Sequence, residues 1–288
     1  MPLNRTLIGK VYPPVMSHVT AEAVQEYARA CNDDNPSYFQ PPAATGIIAP
    51  PVFNAVITWL ALITAISDPE LRVDLLRLLH RGQDMRFYEP VRPDDLISAR
   101  ACISSIEDSA AGETLTIGLD ASNQRNQVVS RTIFTTLIRG RRQRDSAPTS
   151  SFTGHQSPPN KPLVTIARTI DLDQTVRYAN ASGDRNPIHL DDSVARMAGL
   201  PGIIVHGLCT MAFASQVIVD HVCGGDPARL SRLAVQFSHP VFPGDTITTT
   251  VWPEKNMRGA RCFSYETRNA AGVVVLRDGI AEINREGS

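Results

Sequence analysis

The chain repeats itself, and that constrains its fold more than any other feature. "YARACNDDNPSYF" at 27–39 aligns with "YANASGDRNPIHL" at 178–190, matching Tyr27 with Tyr178, Asp33 with Asp184, Asn35 with Asn186 and Pro36 with Pro187. Farther along, "GIIAPPVF" at 46–53 answers "GIIVHGLC" at 202–209, and "MRFYEPVRPDDLISA" at 85–99 answers "VQFSHPVFPGDTITT" at 235–249. Three matches in the same order mean two copies of one folding unit. Between them, "RGRRQRDSAPTSSFTGHQSPPNKP" at 139–162 has no apolar periodicity and reads as a linker. The expected organisation is therefore an N-terminal module over 1–140, a linker over 141–162 and a C-terminal module over 163–288, each of ordinary domain size.

Both copies carry the same order of signals. "TAEAVQEYARAC" and "DLDQTVRYANAS" have helical spacing behind a Thr or Asp start. A polar loop follows, then "PVFNAVITWLALITAIS" or "GLCTMAFASQVIVDHV", nearly all apolar, as in a helix buried on most sides. Each copy closes on alternating, β-rich runs: "LISARACISSIED", "ETLTIGLDASN" and "VVSRTIFTTLI" in the first, "TITTTVWPE", "ARCFSYETRN" and "GVVVLRDGIAEI" in the second. One buried helix followed by an antiparallel sheet is an α+β plan.

Composition narrows the function classes. A net charge of -1 supplies no field to hold a polyanion, which argues against nucleic acid as partner. The five cysteines are dispersed and include no C-x-x-C pair, so zinc and dithiol chemistry are not indicated and a reducing cytoplasm fits. No apolar window is long enough for a membrane span, and "MPLNRTLIGKVYPP" lacks the apolar core of a secretory signal.

The two copies differ where chemistry is possible. His189 stands opposite Tyr38, and His206-Gly207 stand opposite Pro50-Pro51, so only the second copy keeps an acid and an imidazole together. A carboxylate and an imidazole five residues apart across an Asn-Pro turn can converge on one water molecule, holding one proton and accepting another. That suits moving H and OH across a double bond. Alone, Asp-x-Asn-Pro is a common structural turn. A calcium loop is opposed by the missing Gly and terminal Glu. His206, just before a buried helix, reads as a cap or packed group rather than a second base.

"SGDRNPIHLD" at 182–191, "AGLPGIIVHGLCT" at 198–210 and "FSHPVFPGD" at 237–245 together closely resemble the hydratase 2 motif of MaoC-like (R)-specific enoyl-CoA hydratases and 3-hydroxyacyl-thioester dehydratases. The first half is similar to the catalytically degenerate module of two-module members, which are associated with bulky or long acyl groups. The resemblance implies a double hotdog: two sheets, each wrapping a long helix, joined edge to edge. It implies a hydro-lyase in lipid metabolism, with Asp184 and His189 as catalytic pair and the amide of Gly207 in an oxyanion hole. Phe237 would lie against the substrate, and Asn186 would fix the loop or bind the thioester region. Arg185, Arg258 and Arg261 are candidates for the phosphates of coenzyme A; no spacing selects among them, and Arg185 lies within the motif.

The substrate implied is an acyl-CoA or acyl-carrier-protein thioester, with no metal, no redox cofactor and no membrane insertion; a homodimer of double modules is an option. Dehydration of (3R)-hydroxyacyl thioesters is the nearest alternative activity. Thioester hydrolysis and a non-catalytic acyl-binding subunit are the alternatives of other classes.

Overall fold

A computed structural model describes residues 2–41, 46–140, 161–255 and 260–284. Residues 141–160 of the expected linker, and Arg258, lie outside the described residues. The first copy runs β1 (Val15–His18), α1 (Ala21–Ala30), α2 (Asn54–Ile66), β2 (Leu78–Phe87), β3 (Leu96–Ser109), β4 (Gly112–Ser122) and β5 (Val128–Arg139). The second runs β6 (Val164–Thr169), α3 (Gln174–Ser182), α4 (Asp192–Met197), α5 (Gly207–His221), β7 (Leu230–Phe237), β8 (Thr246–Pro253), β9 (Arg261–Asn269) and β10 (Val274–Ile283).

The strands form one antiparallel sheet in the order β1-β3-β4-β5-β2-β7-β10-β9-β8-β6. Each half of that order comes from one copy, and the halves meet where β2 pairs with β7, Gly82 opposite Gln236 through Arg86 opposite Arg232. This is the double hotdog expected of an α+β chain. Strand alternation explains how each half wraps its helix: in β3, Ile97, Ala99, Ala101 and Ile103 are all buried, and α2 lies on β3 and β4. In the second half α5 lies on β7, β10, β6 and β8, and every residue from Leu208 to Val219 is buried. A helix enclosed on all sides needs no polar face, which is why the α5 stretch is nearly free of charge, whereas the equally apolar α2 leaves Leu60 exposed.

The start signals are only partly realised. Thr20 caps α1, its hydroxyl accepting from the Ala23 amide at 3.1 Å. Asp173 precedes α3 but makes no such cap; it accepts instead from Arg177 Nε at 3.0 Å. The short edge strands β1 and β6 have no fully buried position, so they leave no hydrophobic alternation in the sequence. No helix among the described residues is long and apolar enough to cross a membrane.

The seam sets two like charges side by side, since Arg86 is directly opposite Arg232. Carboxylates neutralise them. Asp84 accepts from Arg232 Nε at 2.9 Å and Nη2 at 2.7 Å, while Glu282 takes Arg232 Nη1 at 2.7 Å and Arg86 Nη1 at 3.4 Å. Both Asp84 and Arg232 are mostly withdrawn from water, so removing one leaves the other charge uncompensated. Arg232→Met is expected to lower stability by about 1–3 kcal/mol. The double variant Arg232→Met/Asp84→Leu should recover much of that loss. Urea unfolding checks both; a double variant no more stable than the single one would contradict this account of the seam.

Candidate active site

The polar loop after α3 is built from short side-chain caps. Gly183 ends the helix in the left-handed region, at φ 78°, and turns the chain away. The amide of Asp184 donates to Ser182 Oγ at 3.2 Å, the amide of Asn186 to Asp184 Oδ1 at 3.1 Å, and the amide of Ile188 to Asn186 Oδ1 at 3.3 Å. Pro187 then opens a single 3-10 turn, Pro187–His189, whose last residue points inward. His189 is buried, and its Nδ1–H donates to the carbonyl of Ile204 at 2.8 Å. A carbonyl can only accept, so Nε2 is left with its lone pair free.

The segment 204–207 closes the site from the other side. His206, 1% exposed, donates from Nε2 to the Asp184 carbonyl at 3.0 Å and stacks on His189, with ring centroids 3.8 Å apart and planes at 28°. One ligating atom from each of Asp184, His189 and His206 falls within 4.8 Å of the others, about the span in which one water touches all three. A metal fits less well. A zinc ion must lie about 2.0–2.1 Å from each nitrogen and near both ring planes, whereas stacked rings offer their lone pairs in nearly parallel planes.

Burial moves the acid and the base toward each other. It raises Asp184 above the usual carboxylate range, opposed by His189 and by the Asn186 amide. It lowers His189, opposed by Asp184 and by the bond to Ile204. The two therefore titrate as a pair that can share one proton. His206 is pushed down to about 3, by burial first and then by His189.

Gly207 is the first residue of α5, where amides have no acceptor within the helix. A Cβ there would lie 3.1 Å from Phe237 Cε1, so glycine is what lets the Phe237 ring lie against the helix start. That ring also meets His80 of the first copy, at 4.5 Å between centroids. Trp59 of α2 packs against Gly183, its Cδ1 being 3.6 Å from where a Cβ would stand. The site is thus flanked by both copies.

Of the residues expected from sequence, Asp184 and His189 converge, and Phe237 packs on Gly207, the residue after the His206 that stacks on His189. The Asn186 carbonyl oxygen is spent on the loop, as one of its two expected roles requires. Arg185 is exposed and bonded to Asn180 Oδ1 at 2.8 Å, and Arg261 lies over the Phe263 ring at 5.4 Å. Of the two expectations for His206, cap or packed group, the side chain makes no cap bond; the ring is buried, stacks on His189 and reaches the Asp184 loop. Trp59 stands out in the sequence as the residue around which the first copy would accommodate an acyl chain, whereas His80 was not legible, because it reaches Phe237 from the other copy.

Comparison with known proteins agrees with this architecture. The MaoC like domain matches residues 155–274, and the FAS1-like, dehydratase domain region matches residues 6–132. The 3-hydroxyacyl-thioester dehydratase Y of Mycobacterium tuberculosis is 32% identical over 219 residues, 71% of this chain and 72% of that protein. The chain belongs to the MaoC-like dehydratase family. A probable enoyl-CoA hydratase 2 of Dictyostelium discoideum is 27% identical over 81% of this chain and 80% of its own. The MaoC-like dehydratase of Phytophthora capsici shares the fold, with a TM-score of 0.81 and 20% identity across 100% of this chain and 99% of that one.

In this MaoC-like chain the first copy keeps the loop without the imidazole or the glycine amide. Asn35 still caps its turn, accepting from the Ser37 amide at 2.9 Å, but Tyr38 fills the imidazole position and is fully buried. Pro51 has no N–H to donate, and α2 begins only at Asn54, after a 3-10 turn. Burial pushes Asp33 up to about 7, with the Asn35 amide opposing and Asp220 adding to the rise. A folded value above the unfolded one of about 3.9 means ionised Asp33 costs stability as pH rises. Asp33→Asn should therefore match the parent protein in stability near pH 4 and exceed it by a few kcal/mol above pH 7. Denaturant unfolding at both pH values checks this, and a pH-independent difference would contradict it.

Proposed function

We propose that the chain catalyses reversible (R)-specific hydration of trans-2-enoyl thioesters to (3R)-hydroxyacyl thioesters, with Asp184 and His189 as the proton carriers. The observation that carries this reading is their convergence, in opposite titration directions, beside the free amide of Gly207. The family relatives named as enoyl-CoA hydratase 2 and 3-hydroxyacyl-thioester dehydratase support the same reaction in its two directions. Both are hydro-lyase names.

The steps follow from the tautomers. His189 Nε2 takes a proton from water as the water oxygen bonds to carbon 3, and the electron pair of the double bond moves through carbon 2 onto the thioester oxygen. The Gly207 amide donates to that oxygen, a contribution worth about 3–4 kcal/mol in comparable oxyanion holes. Asp184, protonated, gives its proton to carbon 2, and the proton on His189 then restores Asp184. Water adds and no electron leaves, so the reaction requires no redox cofactor; coenzyme A or acyl carrier protein enters only as the carrier of the acyl group. Dehydration runs the same steps backward. The five unpaired cysteines favour a reducing setting such as the cytoplasm.

The N-terminal module, in this reading, accommodates the acyl chain. With the thioester oxygen assigned to the Gly207 amide, the acyl chain is assigned to the α2 side, where Trp59 is half-buried against Gly183. Trp59→Ala is expected to shift the preference in kcat/KM toward longer or bulkier enoyl-CoAs; an unchanged chain-length profile would contradict this role.

The direct assay follows loss of the conjugated enoyl absorbance with crotonyl-CoA and longer enoyl-CoAs, together with free thiol. Hydration without thiol release is expected. Asp184→Asn and His189→Gln should each lower kcat by at least about 100-fold while leaving the circular dichroism spectrum unchanged. Thiol release would point to a thioesterase, and normal rates in either variant would overturn the mechanism.

A further inference from the structure

His206 is buried in the site without a step in the reaction above, yet its contacts reach every part of the machinery. Its Nε2–H donates to the Asp184 carbonyl at 3.0 Å, which fixes the tautomer. The ring stacks on His189 at 3.8 Å and meets Tyr178 at 4.8 Å. Its own backbone runs directly into Gly207, and two residues earlier Ile204 accepts from His189 Nδ1. Nδ1 of His206 is buried with no hydrogen-bond partner among the described residues. A packed structural group would ordinarily have that atom satisfied or replaced by carbon, because an unsatisfied buried acceptor costs about 1–3 kcal/mol.

We propose that His206 is a positioning residue that sets the distance between the proton-carrying pair and the oxyanion donor, by tying the Asp184 loop and the His189 ring to the start of α5. This rests on the hydration mechanism given above. Without the bond to the Asp184 carbonyl, the loop is tied to the segment before α5 only at its far end, by His189 Nδ1 and the Ile188 carbonyl on Ile204, and the acid can drift relative to the Gly207 amide. Displacements near 1 Å cost about 100-fold in comparable sites. The stacking has a second effect. When His189 takes the proton of water it becomes an imidazolium, and the face of a neutral ring next to it is a favourable neighbour. His206 stays neutral there, so it neither repels that charge nor competes for the proton. The first copy supports the assignment by contrast: Pro50 stands at the equivalent position, can neither donate nor stack in this way, and accompanies the loss of the catalytic pair.

The experiment compares His206→Phe, which keeps a flat ring but loses the donor, with His206→Gln, which keeps a donor, in the full-length chain with crotonyl-CoA. The expected result is a fall in kcat of about 10- to 100-fold for His206→Phe, with KM within about threefold and the pH limbs of kcat displaced. His206→Gln should recover a substantial part of the rate. Equal losses in both variants, confined to KM or to melting temperature, would overturn the proposal, as would a wild-type kcat and pH profile in His206→Phe. Should the phenylalanine variant not fold, nitrogen-15 histidine spectra of the unaltered protein decide. His206 held as the Nε2–H tautomer from pH 5 to 8 supports the proposal, and a protonated or Nδ1–H ring in that range overturns it. Absence of hydration by the unaltered protein is a separate outcome, which removes the mechanism on which the proposal rests.

Discussion

The pairing of β2 with β7 is the interaction on which the rest depends. Five registered residue pairs, from Gly82–Gln236 to Arg86–Arg232, turn two half-sheets into one, and in doing so bring each copy's helix against the other copy's loop. Trp59 of α2 underlies the loop of the second copy, and Gln216 of α5 donates to the Asn32 carbonyl in the loop of the first. The site is therefore a property of the joined sheet. The same pairing places His80, on β2, against the Phe237 ring at the end of β7.

Duplication supplied two equivalent loops, and side-chain chemistry separated them. Where the second copy has His189, free on one nitrogen, the first has Tyr38 packed away from water. Where the second starts its helix at Gly207 with a free amide, the first has a proline that removes the donor and delays the helix. The acid survives in both, but the surroundings differ. Asp184 has an imidazole to share its proton, whereas Asp33 has none among the groups acting on it and is held near 7 mainly by burial. One loop holds an acid beside an imidazole; the other holds an acid beside a packed phenol.

Much of this was legible in the sequence because it is local. The repeat, the apolar helices and the long alternating strands follow from spacing alone, and the Asp-x-Asn-Pro-x-His loop caps itself through neighbours two residues apart. What was not legible is long-range. β2 has no clean alternation, because its pairing with β5 shifts between His80 and Gly82 and both its edges are covered by strands. His80 reaches Phe237 only across the seam. His206 was singled out as a cap or a packed group; packing is what the fold realises, through a partner 22 residues back in the chain that captures the ring.

The central claim is that Asp184 and His189 work as one unit carrying a single proton between them. The pH dependence of kcat/KM for enoyl-CoA hydration tests it most directly. Burial lowers His189 and raises Asp184, so the singly protonated pair should give a bell: the rate falls in acid as a second proton binds and falls in base as the shared proton leaves. A profile that is flat, or that rises to a plateau and stays there in base, would contradict the account.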